Sequence, residues 1–188
     1  MGDNETDLIL NDTWSLYFHD PFNQNWTYNS YHKICDITSV AEYWQVFDTL
    51  REYFARGMFF LFREYVFPCW DDESNIKGGC ISIKVLKKDF MPLWQDMTMR
   101  MLGESFLKGE KRLFWNNING ISISPKKAFS IVKIWLKSQD VVDPNMFHFP
   151  TCYNGGFMYR SNQQNIDENH QRMITTKKED DDSTCSHT

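Results

Sequence analysis

Seven short runs of aromatic and β-branched residues, separated by polar loops, restrict the fold of this chain more than any other feature. Each run has the length and composition of a β-strand. The runs are 14–20, 31–38, 58–67, 80–86, 120–124, 129–137 and 146–152. Many short strands with few helices are typical of an α+β domain, in which helices cover one face of an antiparallel sheet. The opposite face is then free to be concave and to bind a ligand.

Two helical patterns lie among these runs. Ser39 and Glu42 form a capping box at the start of the first helix, because each side chain accepts a hydrogen bond from a free N–H group there. Apolar residues then recur at helical spacing, and Gly57 ends the pattern. They are Val40, Trp44, Phe47, Leu50 and Phe54. A second helix is predicted over 89–105, with Pro92 in its first turn, where a missing N–H costs little.

The length and charge of the chain limit its organisation. The 188 residues are enough for one domain with a core. We expect a disordered N-terminus over 1–8, a folded domain over 9–160 and a disordered polar tail over 161–188. A formal net charge of −5 disfavours general binding to a nucleic acid backbone. Such a chain would recognise one feature of a nucleic acid instead.

The cysteines and the apolar content predict the cellular setting. The five cysteines are odd in number and scattered without a Cys-x-x-Cys pair, which predicts free thiols in a reducing compartment. No leader pattern and no apolar run long enough to cross a bilayer is present. We therefore expect a monomer with a cytoplasmic location, a nuclear pool also being compatible. We expect no metal, no cofactor and no contact with a membrane.

The loop 67–79 places an indole beside carboxylates, since Trp70 directly precedes Asp71, Asp72 and Glu73. An indole face attracts flat cations. An ionised carboxylate only accepts hydrogen bonds. Together they suit a planar cation with N–H donors on its edge, such as a methylated purine. Gly78 and Gly79 at the end of the loop are expected to let the two flanking strands turn back on each other.

Two further groups could complete such a site. Trp26 lies in a loop among polar neighbours, so a base could be held between Trp26 and Trp70. Lys126 and Lys127 lie at a predicted hairpin turn and could meet phosphate.

The residue pattern leaves other interpretations open. The two tryptophans could fill the rim of the core, the three acids could form a solvated turn, and the lysine pair could be a solvated hairpin turn. Clustered acids could also hold Mg²⁺ for phosphoryl hydrolysis. No pair of a nucleophile and a base and no phosphate-binding glycine motif accompanies these acids. We therefore do not expect an enzyme.

From about Leu10 to Lys137 the chain resembles the eukaryotic translation initiation factor 4E family, which binds the cap of messenger RNA. Each motif that carries the resemblance is short, but their order and spacing agree with the family. The motifs are Trp14-Ser15-Leu16-Tyr17-Phe18, Asn25-Trp26, Ser39-Val40-Ala41-Glu42-Tyr43-Trp44, Pro68-Cys69-Trp70-Asp71-Asp72-Glu73, Asn75-Ile76-Lys77-Gly78-Gly79, Leu102-Gly103-Glu104-Ser105-Phe106 and Ile134-Trp135.

The resemblance implies a curved antiparallel sheet with helices on its convex face and a cap-binding slot on its concave face. It implies that Trp26 and Trp70 stack on the two faces of 7-methylguanine. The carboxylate of Asp71 would accept hydrogen bonds from the edge of the base. Trp135 would lie near the methyl group, and Lys126 would meet phosphate, with Lys127 close by but displaced in register.

The resemblance also implies a groove for partner proteins. In the family, a helix containing Tyr-x-x-x-x-Leu-hydrophobic binds there, as carried by initiation factor 4G and by repressor proteins. The groove would comprise Val40, Trp44, Gln95 and Met99.

Four departures from the family pattern qualify this interpretation. The acid after Trp70 is Asp71 where the family mostly has Glu, and Ile131 fills the place of a second phosphate-binding lysine. Gln95 replaces a leucine of the partner groove. The segment after Trp135 is too short for the third helix of the family. The sequence therefore predicts a non-enzymatic cap-binding protein that recruits messenger RNA to translation. The alternative is a repressor or competitor that keeps the partner groove but binds caps weakly.

Overall fold

The computed structural model describes residues 7–150, 153, 155–168 and 171, and a seven-stranded antiparallel sheet forms its centre. The strands are β1 Ile9–His19, β2 Tyr31–Ser39, β3 Met58–Arg63, β4 Gly79–Leu86, β5 Ile118–Pro125, β6 Phe129–Leu136 and β7 Phe157–Ser161. Their order across the sheet is β2-β1-β3-β5-β6-β4-β7. The predicted α+β fold with a curved antiparallel sheet is confirmed.

Two α-helices pack on the convex face of the sheet, α1 Val40–Leu50 and α2 Lys87–Leu102. The oxygen of Ser39 accepts the backbone N–H of Glu42 at 3.2 Å, as the capping box requires. The carboxylate of Glu42 accepts the backbone N–H of Thr38 at 2.7 Å. This N–H and the Thr38 hydroxyl hold the pKa of the Glu42 carboxyl below its ordinary range. The start of α1 is thus determined locally.

The prediction that strands 58–67 and 80–86 turn back on each other is wrong. β3 and β4 are separated in the sheet by β5 and β6. β3 also ends early, at Arg63, where a turn joins the N–H of Val66 to the Arg63 carbonyl. The side chain of Arg63 is buried, pairs with Asp12 and donates to the carbonyl of Ile118 at 2.8 Å. The loop 67–79 therefore crosses the sheet instead of closing a hairpin.

Three other predicted elements differ from the structure. α1 ends at Leu50, before Gly57. α2 begins at Lys87, so Pro92 lies inside the helix beyond its first turn. The predicted strand 146–152 is absent from its described residues, where Phe147 forms only an isolated bridge with Leu107. The last strand is instead β7, which pairs with β4. Residues 151 and 152 lie outside the described residues.

The polar tail predicted over 161–188 contains ordered residues at its start. Ser161 ends β7, and residues 162–168 are helical. Asn162 is buried, and its amide N–H₂ donates to the carbonyl of Asn75 at 2.7 Å. Long-range hydrogen bonds of this kind order a segment whose composition is polar. Apart from residues 161–168 and 171, the predicted tail lies outside the described residues, as does most of the predicted disordered N-terminus.

The sheet separates two apolar clusters. The larger cluster lies between the convex face and the two α-helices and includes Leu16, Phe47, Leu93, Trp94 and Ile134. The smaller cluster lies on the concave face, and its buried members are Tyr17, Phe60, Phe62, Val66, Phe67, Cys80 and Trp135. No helix in the described part of the chain is long and apolar enough to cross a membrane.

Candidate functional site

The concave face has an aromatic floor because its strands alternate between the two sides of the sheet. On β3, Phe60 and Phe62 belong to the concave cluster, whereas Phe59 and Leu61 belong to the helix-side core. On β6, Trp135 points to the concave side. The concave face therefore presents aromatic rings where an ordinary solvated face would carry polar side chains.

Trp135, the predicted contact for the base methyl group, lies in this floor. It is 3% exposed, and its ring meets Phe62 edge to face with 5.2 Å between the ring centroids. Its indole N–H donates to the Ser122 hydroxyl at 2.8 Å, so its polar atom is satisfied inside the protein. The ring can contribute apolar surface to a ligand but no hydrogen bond.

A network of asparagines holds the loop that carries Trp70. The buried Asn75 amide donates to the carbonyls of Phe67 and Cys69 at 2.9 and 2.8 Å. The amide of Asn119 donates to the Asn75 side-chain oxygen at 2.8 Å. Gly78 closes the loop, since a Cβ there would lie 1.7 Å from the carbonyl oxygen of Leu136. The loop thus keeps one path over the concave face.

Trp70 is half-buried at the edge of the concave cluster. Its indole N–H is buried and has no hydrogen-bond partner among the described residues. The ammonium of Lys133 lies 5.5 Å from the centroid of the Trp70 ring. The sequence analysis missed Lys133, although its position two residues before Trp135 on β6 puts it on the same face.

The acids after Trp70 differ in their roles. The Asp72 carboxylate accepts the backbone N–H of Ser74 at 2.9 Å, and its carbonyl accepts two further N–H groups of the turn. Asp71 is exposed and lies beside the Cys69 thiol. Burial, followed by the neighbouring Asp71 carboxylate, raises the pKa of Cys69 to about 12. Asp72 is therefore used to build the loop, whereas the Asp71 carboxylate is accessible to a ligand.

Trp26 approaches the concave face from the opposite end of the sheet. Its loop follows His19, the last residue of β1, which pairs with Met58 and Tyr31 on the neighbouring strands. The indole stacks flat on the His19 ring, with the centroids 4.0 Å apart, and remains 43% exposed. One face of Trp26 is therefore occupied by the protein itself.

Tyr28, Tyr31 and Phe67 connect the two tryptophan loops. Tyr28 stacks on Phe67 with 3.6 Å between centroids, and Tyr31 lies 5.0 Å from Phe67 and 6.2 Å from Trp26. The sequence analysis did not single out these three residues. In the sequence, each of the three is an aromatic residue in or next to a loop that also carries a candidate tryptophan, and this position could have identified them. The structure thus brings both tryptophan loops onto the aromatic floor.

The predicted phosphate-binding lysines lie at the same end of the sheet as the Trp26 loop. Lys126 and Lys127 are exposed in the turn between β5 and β6, where the Lys126 N–H donates to the Phe129 carbonyl. Strand alternation places Ile131 on the same side of β6 as Lys133 and Trp135. On β6 the cation beside the Trp70 ring is thus Lys133, and position 131 supplies none.

The predicted partner groove lies on the helices, across the sheet from the aromatic floor. Val40 and Trp44 are one turn apart on α1 and half-buried. Gln95 is half-buried and Met99 is 45% exposed one turn further along α2. A hydrogen bond of 2.8 Å between the hydroxyls of Tyr43 and Thr98 joins the two helices. Each helix therefore offers a pair of side chains that are partly free to contact a partner.

Known proteins resemble this chain in sequence and in fold. The sequence model described as Eukaryotic initiation factor 4E matches residues 9–179 of the chain. Eukaryotic translation initiation factor 4E of Eremothecium gossypii is 28% identical over 137 residues, which cover 69% of this chain and 62% of that protein. The matched part of this chain thus spans less than two thirds of the length of that relative.

Two solved structures share the fold. The complex of C. elegans eIF4E-3 with the 4E-binding protein Mextli and a cap analog matches with a TM-score of 0.72 and 18% identity, over 86% of this chain and 96% of that one. Schistosome eIF4E complexed with m7GpppG and 4E-BP matches with a TM-score of 0.63 and 24% identity, over 73% and 76%. With the family model matched over most of its length, the chain belongs to the eukaryotic initiation factor 4E family.

Proposed function

We propose that this chain binds the 7-methylguanosine cap of messenger RNA and recruits the message for translation initiation, without catalysing a reaction. Trp26 and Trp70 stack on the two faces of the methylated base, and Trp135 lies below its methyl group. The carboxylate of Asp71 accepts the N–H groups on the base edge. Lys126, with Lys127 beside it, meets the phosphates.

One observation carries the proposal: Trp70 lies at the edge of the aromatic floor, and Trp26 lies beside Tyr31, which packs on the same floor. Asp71 lies next to one of these tryptophans with an accessible carboxylate. A methylated guanine carries a positive charge and presents N–H donors, so it matches both the indoles and the acid. The solved relatives with this fold were captured with a cap analog and with m7GpppG, which supports the same ligand class.

The test is a titration of tryptophan fluorescence with 7-methylguanosine triphosphate and with its unmethylated counterpart. The methylated ligand is expected to bind more tightly because its charge strengthens stacking on indole. Trp26→Ala and Trp70→Ala should each weaken binding by about 1–3 kcal/mol, the usual contribution of stacking one base on an aromatic ring.

Tyr53→Ala is the matched control. Tyr53 is an exposed aromatic residue just after α1, where it lines an apolar groove with Leu50 and Phe59, which packs in the helix-side core. Its loss should leave the affinity for the cap unchanged. Normal cap binding by both tryptophan variants would contradict the proposal.

A second function fits two observations. The position of a second phosphate-binding lysine holds Ile131, and the base-edge acid is the shorter Asp71. These features favour a repressor or competitor that binds partners but holds caps weakly. Cap affinity measured beside partner affinity on the same preparation separates the two functions, since a repressor would bind the partner at concentrations where the cap is free.

We further propose that the partner is an initiation factor 4G-like protein or a 4E-binding repressor with a Tyr-x-x-x-x-Leu-hydrophobic helix. Its binding groove comprises Val40, Trp44, Gln95 and Met99. Apolar side chains that are partly exposed on two adjacent helices are the anchors that such a helix requires. The solved relatives include complexes with Mextli and with 4E-BP. Monomeric behaviour and a cytoplasmic location, with a nuclear pool also compatible, complete the proposal.

A further inference from the structure

His19 has an arrangement of hydrogen bonds that a neutral histidine cannot make. Its side chain is 0% exposed at the end of β1. Its Nδ1 lies 2.9 Å from the carbonyl oxygen of Asp20, and its Nε2 lies 3.0 Å from the carbonyl oxygen of Asn25. Carbonyl oxygens only accept hydrogen bonds, and a neutral imidazole carries one N–H. Both contacts are hydrogen bonds only when both ring nitrogens carry a proton.

The same ring lies face to face with Trp26. The two planes differ by 6°, and the centroids are 4.0 Å apart. A flat cation on an indole face is attracted by the electrons of the ring, and the attraction grows when water is excluded. Tyr31 closes a second side of the imidazole with its ring centroid 5.0 Å away. The His19 ring is thus buried, stacked on an indole and in contact with two carbonyl oxygens at the same time.

The groups packed around His19 are compatible with a positive ring. Directly after β1, the Asp20 carboxylate accepts the Phe22 N–H at 2.9 Å. From β2 comes Tyr31, whose phenol is neutral because burial raises its pKa. From β3 comes Met58, and from the loop come Asn25 and Trp26, all uncharged.

The two carbonyls that face His19 lie at either end of the loop 20–25. Within the loop, the N–H of Asn25 is bonded to the side chain of Asn23 at 2.9 Å, and the N–H of Thr27 to the side chain of Asn25 at 3.1 Å. These bonds shape the loop locally, but they do not attach it to the sheet. His19 makes that attachment from β1, next to the residue whose ring would stack on a ligand.

We propose that His19, as an imidazolium, is the positioning residue for Trp26. Its ring donates hydrogen bonds to the carbonyls at both ends of the loop 20–25 and stacks on one face of the indole. The opposite face of the indole is then presented to a flat base. This inference rests on the proposed function in so far as Trp26 stacks on the base. Loss of the Nε2 proton removes the donor to the Asn25 carbonyl and the charge from the indole face. The loop then loosens, and Trp26 is no longer held in place.

The first measurement uses the protein without ligand. ¹⁵N spectra of the imidazole rings are recorded on labelled protein near neutral pH, and the His19 signals are assigned by their loss in His19→Phe. Two protonated ring nitrogens are expected. A single neutral tautomer at His19 would overturn the proposal.

The second measurement follows the emission of Trp26, isolated by comparison with Trp26→Phe. A protonated imidazole in face contact quenches indole fluorescence, so His19→Phe should brighten the emission, and it should not do so in the Trp26→Phe background. His32→Phe is the matched control, because His32 lies exposed on β2 and lines the apolar groove with Phe18, which packs in the helix-side core. An emission change of equal size in both histidine variants would count against a special role of His19.

The third measurement is the affinity for 7-methylguanosine triphosphate of the wild type, His19→Phe and His32→Phe near neutral pH. His19→Phe should bind about tenfold more weakly than the wild type, as expected for losing a hydrogen bond that holds the loop. His32→Phe should match the wild type.

Equal or tighter binding by His19→Phe overturns the positioning role. If His19→Phe does not fold, His19→Gln, which retains one N–H₂ donor group, replaces it in the second and third measurements. If no protein in the series binds the cap, the proposed function fails. The ring spectra and the Trp26 emission then still decide whether His19 holds Trp26.

Discussion

At the scale of single residues, two adjacent acids show how the structure divides similar side chains between roles. Asp72 binds backbone N–H groups of its own turn, whereas Asp71 is exposed beside Trp70. The residue pattern alone offers three acids in a row, and the resemblance to the family singles out Asp71. In the structure the roles differ because of the path of the loop, which the buried Asn75 determines through its hydrogen bonds.

Asp71→Asn should weaken cap binding by about tenfold or more. The new amide N–H₂ would face the donor edge of guanine, which leaves a donor unpaired and removes a charge-assisted hydrogen bond. Asp72→Asn is the matched control and should have little effect, since an amide oxygen can still accept the N–H of Ser74. Titration with a cap analogue measures both variants. Damage confined to Asp72→Asn would show that the neighbouring acid reads the base.

At the scale of elements, the hairpin β5–β6 carries both the floor and the edge of the candidate site. Trp135 lies in the floor, Lys133 lies beside Trp70, and Lys126 lies in the exposed turn. The alternation along β6 therefore decides which cations face the concave side. Ile131 contributes no charge on this side, so the turn lysines and Lys133 are the cations that the hairpin offers.

Lys126→Ala should weaken binding of 7-methylguanosine triphosphate more than binding of bare 7-methylguanosine. The reason is that the exposed ammonium interacts with phosphate and not with the base, and the difference should shrink with added salt because exposed charges are screened. Lys88→Ala, an exposed lysine at the start of α2, is the control and should affect neither ligand. Equal losses for both ligands with Lys126→Ala would exclude a phosphate contact.

At the scale of the whole molecule, the sheet separates two surfaces. The aromatic floor and both tryptophan loops lie on the concave side, whereas α1 and α2 cover the convex side. Because the packed sheet lies between the two surfaces, a substitution on one surface should leave the structure of the other unchanged. Cap binding and partner binding should therefore be separable by mutation.

Trp44→Ala should abolish capture of a Tyr-x-x-x-x-Leu peptide and leave cap affinity unchanged. Trp44 also meets Tyr43 and Phe47 edge to face, at 5.2 and 5.9 Å between centroids, so a stability loss of about 1–3 kcal/mol is expected as well. Peptide pull-down and cap titration well below the unfolding temperature measure the two effects. The exposed Gln45→Ala is the control. Loss of cap binding together with peptide binding would place Trp44 in the core instead.

Local sequence was sufficient to predict those elements whose structure depends on residues close together in the chain. Alternating residues predicted the hairpin β5–β6, and the capping box predicted the start of α1, because both depend on neighbours a few residues apart. The motifs around Trp26 and Trp70 likewise indicated the family that the comparisons confirm. The α+β class followed from the number of short strands.

Long-range pairing determined what local pattern could not. The separation of β3 from β4, the pairing of β7 with β4, and the burial of Asn162 depend on partners far away in sequence. Lys133 and His19 became candidate site residues for the same reason. A lysine on a strand and a histidine at a strand end acquire a role only when the fold brings an indole against them, and no periodicity in the sequence records that contact.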